Sequence, residues 1–167
     1  MSEKKTYRVA VIPGDGIGTE VTPVGARVLE AAGERFGFRL EYTHFPWGTE
    51  FYFEHGAMMP PEALDLLRPF DTIYFGAVGD PRVRDNVTLN GLLLPVRRGF
   101  DQYACVRPAV LYPGARSPLA GRKAGDIDFV VVRENTEGEY AQVGGHLYAG
   151  GADEVAMQVA VFTRRGT

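Results

Sequence analysis

The sequence predicts an α/β fold in which helices cover a parallel β-sheet. Three apolar, β-branched runs in the first 80 residues have the composition of strands, and segments with helical features separate them. This β-α-β-α-β order is typical of parallel sheets, because parallel neighbours need a crossover between them. With 45% apolar residues among 167, the chain can also form a core.

The first predicted strand and helix flank a glycine-rich turn. Tyr7–Ile12 is an apolar run that stops at Pro13, and the turn Gly14–Gly18 follows. Thr19–Phe36 is predicted as a helix, because its apolar residues recur three and four positions apart. Gly37 is well placed to end it. The recurring apolar residues are Val21, Val24, Val28, Ala32 and Phe36.

Two more strands and a second helix complete the pattern. Arg39–Phe45 alternates polar and apolar residues, as a strand with one covered face does. Pro60 and Pro61 can open a helix, since proline at the first helical position sacrifices no hydrogen bond, and Pro69 closes it. Asp71–Val78 is predicted as the third strand.

The elements predicted after residue 80 are shorter and mostly strands. We expect a short helix, two strands, a hairpin around Gly144-Gly145 and a last strand with one buried face. Their ranges are Asn90–Gly99, Ala104–Tyr112, Ile127–Arg133, Glu139–Ala149 and Glu154–Thr163. The change of pattern predicts one unit at residues 1–100 and the start of a second at 101–167.

Composition excludes several classes of partner. The 18 basic and 21 acidic residues give a net charge of −3, so no basic excess points to a nucleic acid or an anionic membrane. No apolar run approaches the ~18 residues of a membrane span. The single cysteine, Cys105, excludes a framework of internal disulfides and suits a reducing compartment. We therefore expect a cytoplasmic protein.

The turn Gly14-Asp15-Gly16-Ile17-Gly18 allows two interpretations. It lies between a strand and a helix, as a dinucleotide-binding turn does, and a helix start can attract an anionic ligand. However, G-x-G-x-x-G requires glycine at position 19, which is Thr19, and this disfavours a Rossmann dehydrogenase. The alternative is a tight turn whose glycines adopt positive φ.

Four arginines lie beside apolar runs, namely Arg97, Arg98, Arg107 and Arg133. Strand residues beside such runs are usually buried, and buried arginines need anionic partners. They could converge to bind carboxylates through their guanidinium groups, or form separate ion pairs with the acidic residues of the chain. Spacing alone does not choose between these hypotheses. Tyr140, seven residues after Arg133, could donate a proton, although a packing role is commoner.

Four motifs, in this order, resemble the isocitrate/isopropylmalate dehydrogenase family: Val11–Gly18, Gly76–Pro81, Arg97–Pro108 and Arg133–Tyr140. No single motif is specific, but the four together are. The resemblance covers essentially the whole chain. Gly76–Pro81, Phe45–Gly48 and the string L-L-L-P-V-R-R-G-F-D-Q-Y resemble most the tartrate and D-malate dehydrogenase branch.

The resemblance implies the fold of that family, which is not a Rossmann fold. It implies an oxidoreductase that uses NAD and a divalent metal, Mg²⁺ or Mn²⁺, to decarboxylate tartrate or D-malate oxidatively, with a monovalent cation as a further cofactor. It also implies a cytoplasmic homodimer acting on a small dicarboxylate 2-hydroxy acid. The alternatives are an isopropylmalate or isocitrate dehydrogenase and a non-catalytic carboxylate-binding or interaction module.

Site residues follow from the resemblance by motif position. It implies that Arg97, Arg107 and Arg133 clamp the substrate carboxylates, with Arg98 as the alternative to Arg97. Tyr140 matches the tyrosine that protonates the enolate. The residues matched to the cofactor site are Ala77, Val78, Gly79, Leu89 and Asn90. Asn90 departs from the branch, which often has an aromatic residue there.

Family members are considerably longer than this chain. The resemblance therefore implies that residues 1–100 are the N-terminal part of the large cofactor and substrate domain, and that 101–167 begin the small dimerisation domain. We expect the metal ligands and a catalytic lysine to lie beyond Thr167, with no metal ligand within the chain. We further expect the 167-residue chain to expose an apolar face and to be inactive alone.

Overall fold

A three-stranded parallel sheet organises the first part of the molecule. The computed structural model describes residues 4–167 and places strands β1 (Lys5–Gly14), β2 (Phe38–His44) and β3 (Thr72–Ala77) in the order β2-β1-β3. The central strand β1 pairs in parallel with both neighbours, and its run Val9–Ile12 is at most 2% exposed. The predicted α/β fold with a parallel sheet is confirmed.

Three helices connect these strands: α1 (Ile17–Phe36), α2 (Thr49–His55) and α3 (Ala63–Leu67). Helix α1 ends as predicted at Gly37, whose φ of 79° is left-handed and whose N–H donates to the Gly33 carbonyl at 2.9 Å. Helix α3 follows the prolines as predicted. Helix α2, which begins after Gly48, was not predicted, because its aromatic residues follow neither the helical nor the strand period.

The face of α1 that lies on the sheet is made of small residues. Gly18, Thr22 and Gly33 are buried, whereas the recurring apolar side chains used to predict the helix are exposed, for example Val24 at 49% and Val28 at 64%. A Cβ on Gly25 would clash with the hydroxyl of Tyr74 in β3, so the close approach requires glycine. The apolar periodicity therefore predicted the helix correctly but did not identify the face of the helix that contacts the sheet.

The segment predicted as the helix Asn90–Gly99 is longer and changes its winding. It contains α4 (Asp85–Thr88), a π-helical turn at Leu89–Leu93 and α5 (Leu94–Gly99). The N–H of Leu94 donates to the carbonyl of Leu89, five residues back. Pro95 contributes to this irregularity because it has no N–H to give to the preceding turn. Such π-bulges occur frequently at functional sites.

Two antiparallel strand pairs follow. Strand β4 (Ala104–Val110) pairs with β5 (Asp128–Glu134), as predicted, and β6 (Gly144–Leu147) pairs with β7 (Val155–Gln158). The prediction that Gly144-Gly145 forms the hairpin turn is wrong. These glycines begin β6 opposite Gln158 and Met157, because the hairpin closes through residues 148–154.

The last predicted strand is also corrected. Only Val155–Gln158 is extended as a paired strand, and its expected buried face is exposed, with Val155 at 43% and Met157 at 51%. No element among residues 4–167 covers that face. By spatial grouping, the chain divides into two compact units, one ending at Val96 and the other comprising Arg97–Thr167. Within the described residues, no helix is both long and apolar enough to cross a membrane.

We expect Gly76→Ala to destabilise the first unit. A Cβ there would meet the Pro13 carbonyl oxygen and lie 2.7 Å from the Thr22 Oγ1, so the backbone would have to move. Overpacking of this kind costs about 1–3 kcal/mol. The matched control is Gly145→Ala, another strand glycine, where nothing lies within 4 Å of the added Cβ. Urea unfolding followed by circular dichroism measures both; equal stabilities for the two variants would contradict the expectation.

Candidate functional site

The register of β4 and β5 brings two predicted site residues, Arg107 and Arg133, to one face of the second unit together with Cys105. Cys105 pairs directly with Arg133, and Arg107 lies two positions beyond Cys105 on β4. Because side chains alternate along a strand and paired residues share a face, Cys105, Arg107 and Arg133 point to the same side. The two arginines are 26 residues apart in the sequence, and the pairing of the strands brings them to the same face.

Direct contacts hold the cluster together. The Nε of Arg107 donates to the Sγ of Cys105 at 3.3 Å, and an Nη of Arg133 donates to the Oδ1 of Asn135 at 2.8 Å. The guanidinium carbon of Arg133 lies 5.2 Å from the ring centroid of Tyr140, a distance at which a cation is attracted to the π face. The structure therefore places Tyr140 beside the arginines.

Arg97 belongs to the same neighbourhood. The pKa of the Cys105 thiol is lowered, first by the hydrogen bond from Arg107 and further by the positive charges of Arg107, Arg133 and Arg97. Arg97 lies in α5, close enough for its charge to act on the thiol.

The three clustered arginines are not paired with carboxylates of the described chain. The ion pairs formed by residues 4–167 involve other residues, so the alternative of separate ion pairs is wrong for Arg97, Arg107 and Arg133. The Nε of Arg133 is buried without a hydrogen-bond partner among these residues. The expected burial is wrong for Arg107, which is exposed, because neither face of the β4–β5 pair is fully covered.

Sequence reasoning missed the residues that shape the turn between Arg133 and Tyr140. The carboxylate of Glu134 accepts hydrogen bonds from the N–H and hydroxyl of Thr136 and from the N–H of Glu137, each between 2.5 and 2.8 Å. The N–H of Tyr140 then donates to the Glu137 carbonyl at 3.2 Å. An acidic residue that ends a strand and precedes Asn-Thr is a recognisable turn signal.

The residues matched to the cofactor site lie in the first unit. Ala77 ends β3 and Val78 and Gly79 follow it, while Leu89 and Asn90 begin the π-helical turn. Gly79, Leu89 and Asn90 are exposed, and nothing lies within 4 Å of where a Cβ on Gly79 would be. Gly79, Leu89 and Asn90 are therefore accessible to a ligand.

A second set of contacts fixes the far side of this loop. Arg82 donates to both carboxylate oxygens of Asp80 and to Glu50 in α2, and its guanidinium lies 4.8 Å from the ring centroid of Phe53. The hydrogen bonds from Arg82 hold the pKa of the Asp80 carboxyl at about 2. These contacts tie the loop after β3 to α2.

The described residues do not fit a divalent metal ion. Among residues 4–167, no group of three or more histidine, cysteine, aspartate or glutamate side chains is arranged to hold one. The clustered guanidinium groups would repel a cation, whereas Mg²⁺ and Mn²⁺ prefer carboxylate oxygens. What this cluster suits is an anion with planar oxygen pairs.

Fold and site together define an α/β protein with a cationic strand face suited to carboxylate ligands. A family model described as isocitrate/isopropylmalate dehydrogenase matches residues 8–167. The chain belongs to the isocitrate/isopropylmalate dehydrogenase family, as the sequence motifs predicted, and its structure has the corresponding fold.

Two curated relatives are more than 50% identical to the chain. The chain is 56% identical to the decarboxylating D-malate dehydrogenase of Escherichia coli strain K12, over 97% of this chain and 45% of that protein. It is 52% identical to the tartrate dehydrogenase/decarboxylase of Pseudomonas putida, over 96% of this chain and 45% of that protein. The chain thus spans about 45% of the length of these relatives.

A solved structure confirms the fold independently. The crystal structure of isocitrate dehydrogenase from Methylococcus capsulatus superposes with a TM-score of 0.75 at 28% identity, covering 96% of this chain and 44% of that one. Because the agreement covers nearly every described residue, the two strand pairs and the parallel sheet all have counterparts in a member of the family.

We expect Arg107→Gln to raise the pKa of the Cys105 thiol. The wild-type thiolate is stabilised mainly by the Arg107 hydrogen bond. As the pH is raised, alkylation of Cys105 by iodoacetamide should therefore begin at a lower pH in the wild type than in the variant. The measurement is unambiguous because the chain has one cysteine. Arg122→Gln serves as the control, since Arg122 is not among the groups that act on the thiol. Identical pH profiles for wild type and Arg107→Gln would show that the hydrogen bond has no effect.

Proposed function

We propose that this chain is part of an NAD-dependent, divalent-metal-dependent dehydrogenase that oxidatively decarboxylates tartrate or D-malate. The observation that supports the proposal most strongly is the meeting of Arg97, Arg107 and Arg133 around Cys105 without a carboxylate partner among residues 4–167. Such a cluster is costly unless an anion binds it, because like charges repel. A dicarboxylate supplies the two negative charges that the cluster lacks.

The proposed role of the arginines is to hold and orient both carboxylates of the substrate. A guanidinium group presents a planar fork of donors that matches a carboxylate, and charge-assisted bonds are the stronger ones. Arg107, which is exposed, can present its guanidinium group to such a ligand. Since two relatives that are 56% and 52% identical are named for D-malate and tartrate, we assign this substrate class to the cluster.

Tyr140 is proposed as the proton donor of the reaction. When the β-carboxylate leaves as carbon dioxide, the electron pair of the broken bond stays on the adjacent substrate carbon, which then needs a proton. The phenol O–H of Tyr140 can supply it, and the Arg133 guanidinium over the ring fixes its position. The turn organised by Glu134 supports the same placement.

NAD, when bound, would accept the hydride that leaves C2 of the substrate. Ala77, Val78, Gly79, Leu89 and Asn90 are proposed to line one wall of its site, where exposed Leu89 offers apolar surface and Gly79 offers space. None of the roles proposed for the described residues involves a metal ion.

We also propose that the complete enzyme is a homodimer whose second domain, which begins near residue 101, provides the interface. The hairpin of β6 and β7 exposes Leu147, Val155 and Met157 at 43–51% of their surface. Apolar strands exposed in this way are typical of surfaces that another chain covers.

The function is tested with the complete enzyme and four substrates. We expect NAD reduction with tartrate or D-malate, dependent on Mg²⁺ or Mn²⁺, with kcat/KM higher than with isopropylmalate or isocitrate. Preference for isopropylmalate or isocitrate would refute the substrate assignment. Absence of NAD reduction with all four would refute the proposed activity.

Arg107→Lys should lower kcat/KM of the complete enzyme for its hydroxy acid. Lysine keeps the charge but loses the planar fork, and charge-assisted hydrogen bonds are worth about 1.5–3 kcal/mol, which corresponds to roughly 10- to 100-fold. The KM for NAD should stay within about twofold. The control is Arg122→Lys on an exposed loop. An unchanged kcat/KM would remove Arg107 from the substrate site.

Tyr140→Phe should lower kcat and leave substrate binding intact. Phenylalanine retains the ring beneath Arg133 and removes only the O–H, so the expected loss is that of a proton donor, about 10²- to 10⁴-fold. Steady-state kinetics with D-malate measure both parameters. A large rise in KM at unchanged kcat would identify Tyr140 as a residue that positions the substrate.

A further inference from the structure

The turn Gly14–Gly18 contains a buried carboxylate for which neither the fold class nor the substrate site accounts. Asp15 is 7% exposed, and Gly14 and Gly16 around it have the positive φ values, 71° and 48°, of a tight turn. The tight-turn interpretation of this motif is therefore confirmed. What remains unexplained is why an acidic side chain occupies its centre.

The Asp15 carboxylate holds together two segments that are distant in sequence. Its Oδ1 accepts from the N–H of Thr49 at 2.6 Å, and its Oδ2 accepts from the Thr49 hydroxyl and from the N–H of Gly79, both at 2.9 Å. The backbone N–H of Asp15 donates to the Ala77 carbonyl at 2.7 Å. Asp15 thus binds the loop after β3 twice, once before and once after Val78.

No cation of residues 4–167 forms an ion pair with Asp15. Three hydrogen-bond donors, the N–H and hydroxyl of Thr49 and the N–H of Gly79, are the contacts of its two oxygens. The space around it is closed as well, since a Cβ on Gly48 would lie 2.6 Å from its Oδ1. The geometry therefore fixes the carboxylate and, through it, the position of the Gly79 backbone.

We infer that Asp15 is a positioning residue for the cofactor wall, holding Ala77–Gly79 in the conformation that receives NAD. The inference rests on the proposed function, which assigns this loop to NAD. Asp15 is hydrogen-bonded to both the Gly79 N–H and the Ala77 carbonyl, so Val78 lies between two anchored residues. The loop therefore has a fixed conformation before its ligand binds.

Asp15→Asn separates the loop contact from the other two. An asparagine side chain has only one acceptor oxygen. The N–H of Thr49 must bind that oxygen, because Thr49 is 1% exposed and its N–H cannot bond to water instead. The amide nitrogen can still donate to the Thr49 hydroxyl. Only the N–H of Gly79, an exposed residue, is left to water. The substitution should therefore release the loop while keeping the Thr49 anchor.

The experiment uses the complete enzyme and two readouts. For Asp15→Asn we expect the KM for NAD to rise about tenfold, the scale of one charge-assisted hydrogen bond, with the KM for the hydroxy acid within about twofold. Independently of activity, hydrogen exchange of the Gly79 amide should be at least about tenfold faster. The control is Thr49→Val, which removes the hydroxyl contact, keeps the Gly79 bond, and should change stability but neither readout.

Faster exchange at Gly79 with an unchanged KM for NAD would overturn the inference, since the loop would be free without consequence for the cofactor. A parallel rise of both KM values would do so too, because it would show general loosening. Unchanged exchange would show that the Asp15–Gly79 bond does not restrain the loop. A wild-type enzyme inactive with NAD and all four acids would refute the proposed function, and exchange at Gly79 would still report on the restraint itself.

Discussion

The antiparallel register of β4 and β5 is the constraint on which the candidate carboxylate site depends. Cys105 opposite Arg133 sets Arg107 on the same face, and a slip of one residue would turn Arg133 to the other side of the sheet. Such a register is strongly specified only when one face is buried, yet Val106 and Val132 on the opposite face are 61% and 70% exposed. The described residues therefore leave the apolar face of this strand pair exposed, while the candidate carboxylate site lies on the cationic face.

The sequence predicted the elements better than their faces. Every strand of the parallel sheet was found: the central strand as a continuous apolar run, because it is buried on both sides as Val9–Ile12 shows, and Arg39–Phe45 by its alternation. The buried side of α1 was not found, because Gly18, Thr22 and Gly33 carry almost no hydrophobic signal and are selected by the space they leave. Gly144-Gly145 illustrates the same limit: as a pair they indicate a turn, but a Cβ on Gly144 would clash with the Met157 carbonyl across the strand pair.

The candidate site shows a similar division. Resemblance to the family was sufficient to select Arg107, Arg133 and Tyr140, and the backbone pairing explains why two of them converge. The choice between Arg97 and Arg98 could not be made from sequence, because adjacent residues at the end of a helix point in different directions and only the fold determines which one reaches Cys105. Glu134 was overlooked because its effect is exerted on backbone N–H groups, which a side-chain motif does not display.

The two candidate surfaces differ in how their polar groups are used, and the difference suits the ligands proposed for them. In the arginine cluster, Arg107 and Arg133 form no ion pair with residues 4–167, so recognition there is by charge and hydrogen bonding. In the loop after β3, the Gly79 N–H and the Ala77 carbonyl are both consumed by Asp15, so this surface can offer a ligand mainly shape and apolar contact. A dicarboxylate requires the first kind of surface. The second kind of surface suits the flat ring of a nicotinamide better. The ring face that exposes its reactive carbon has no hydrogen-bonding groups.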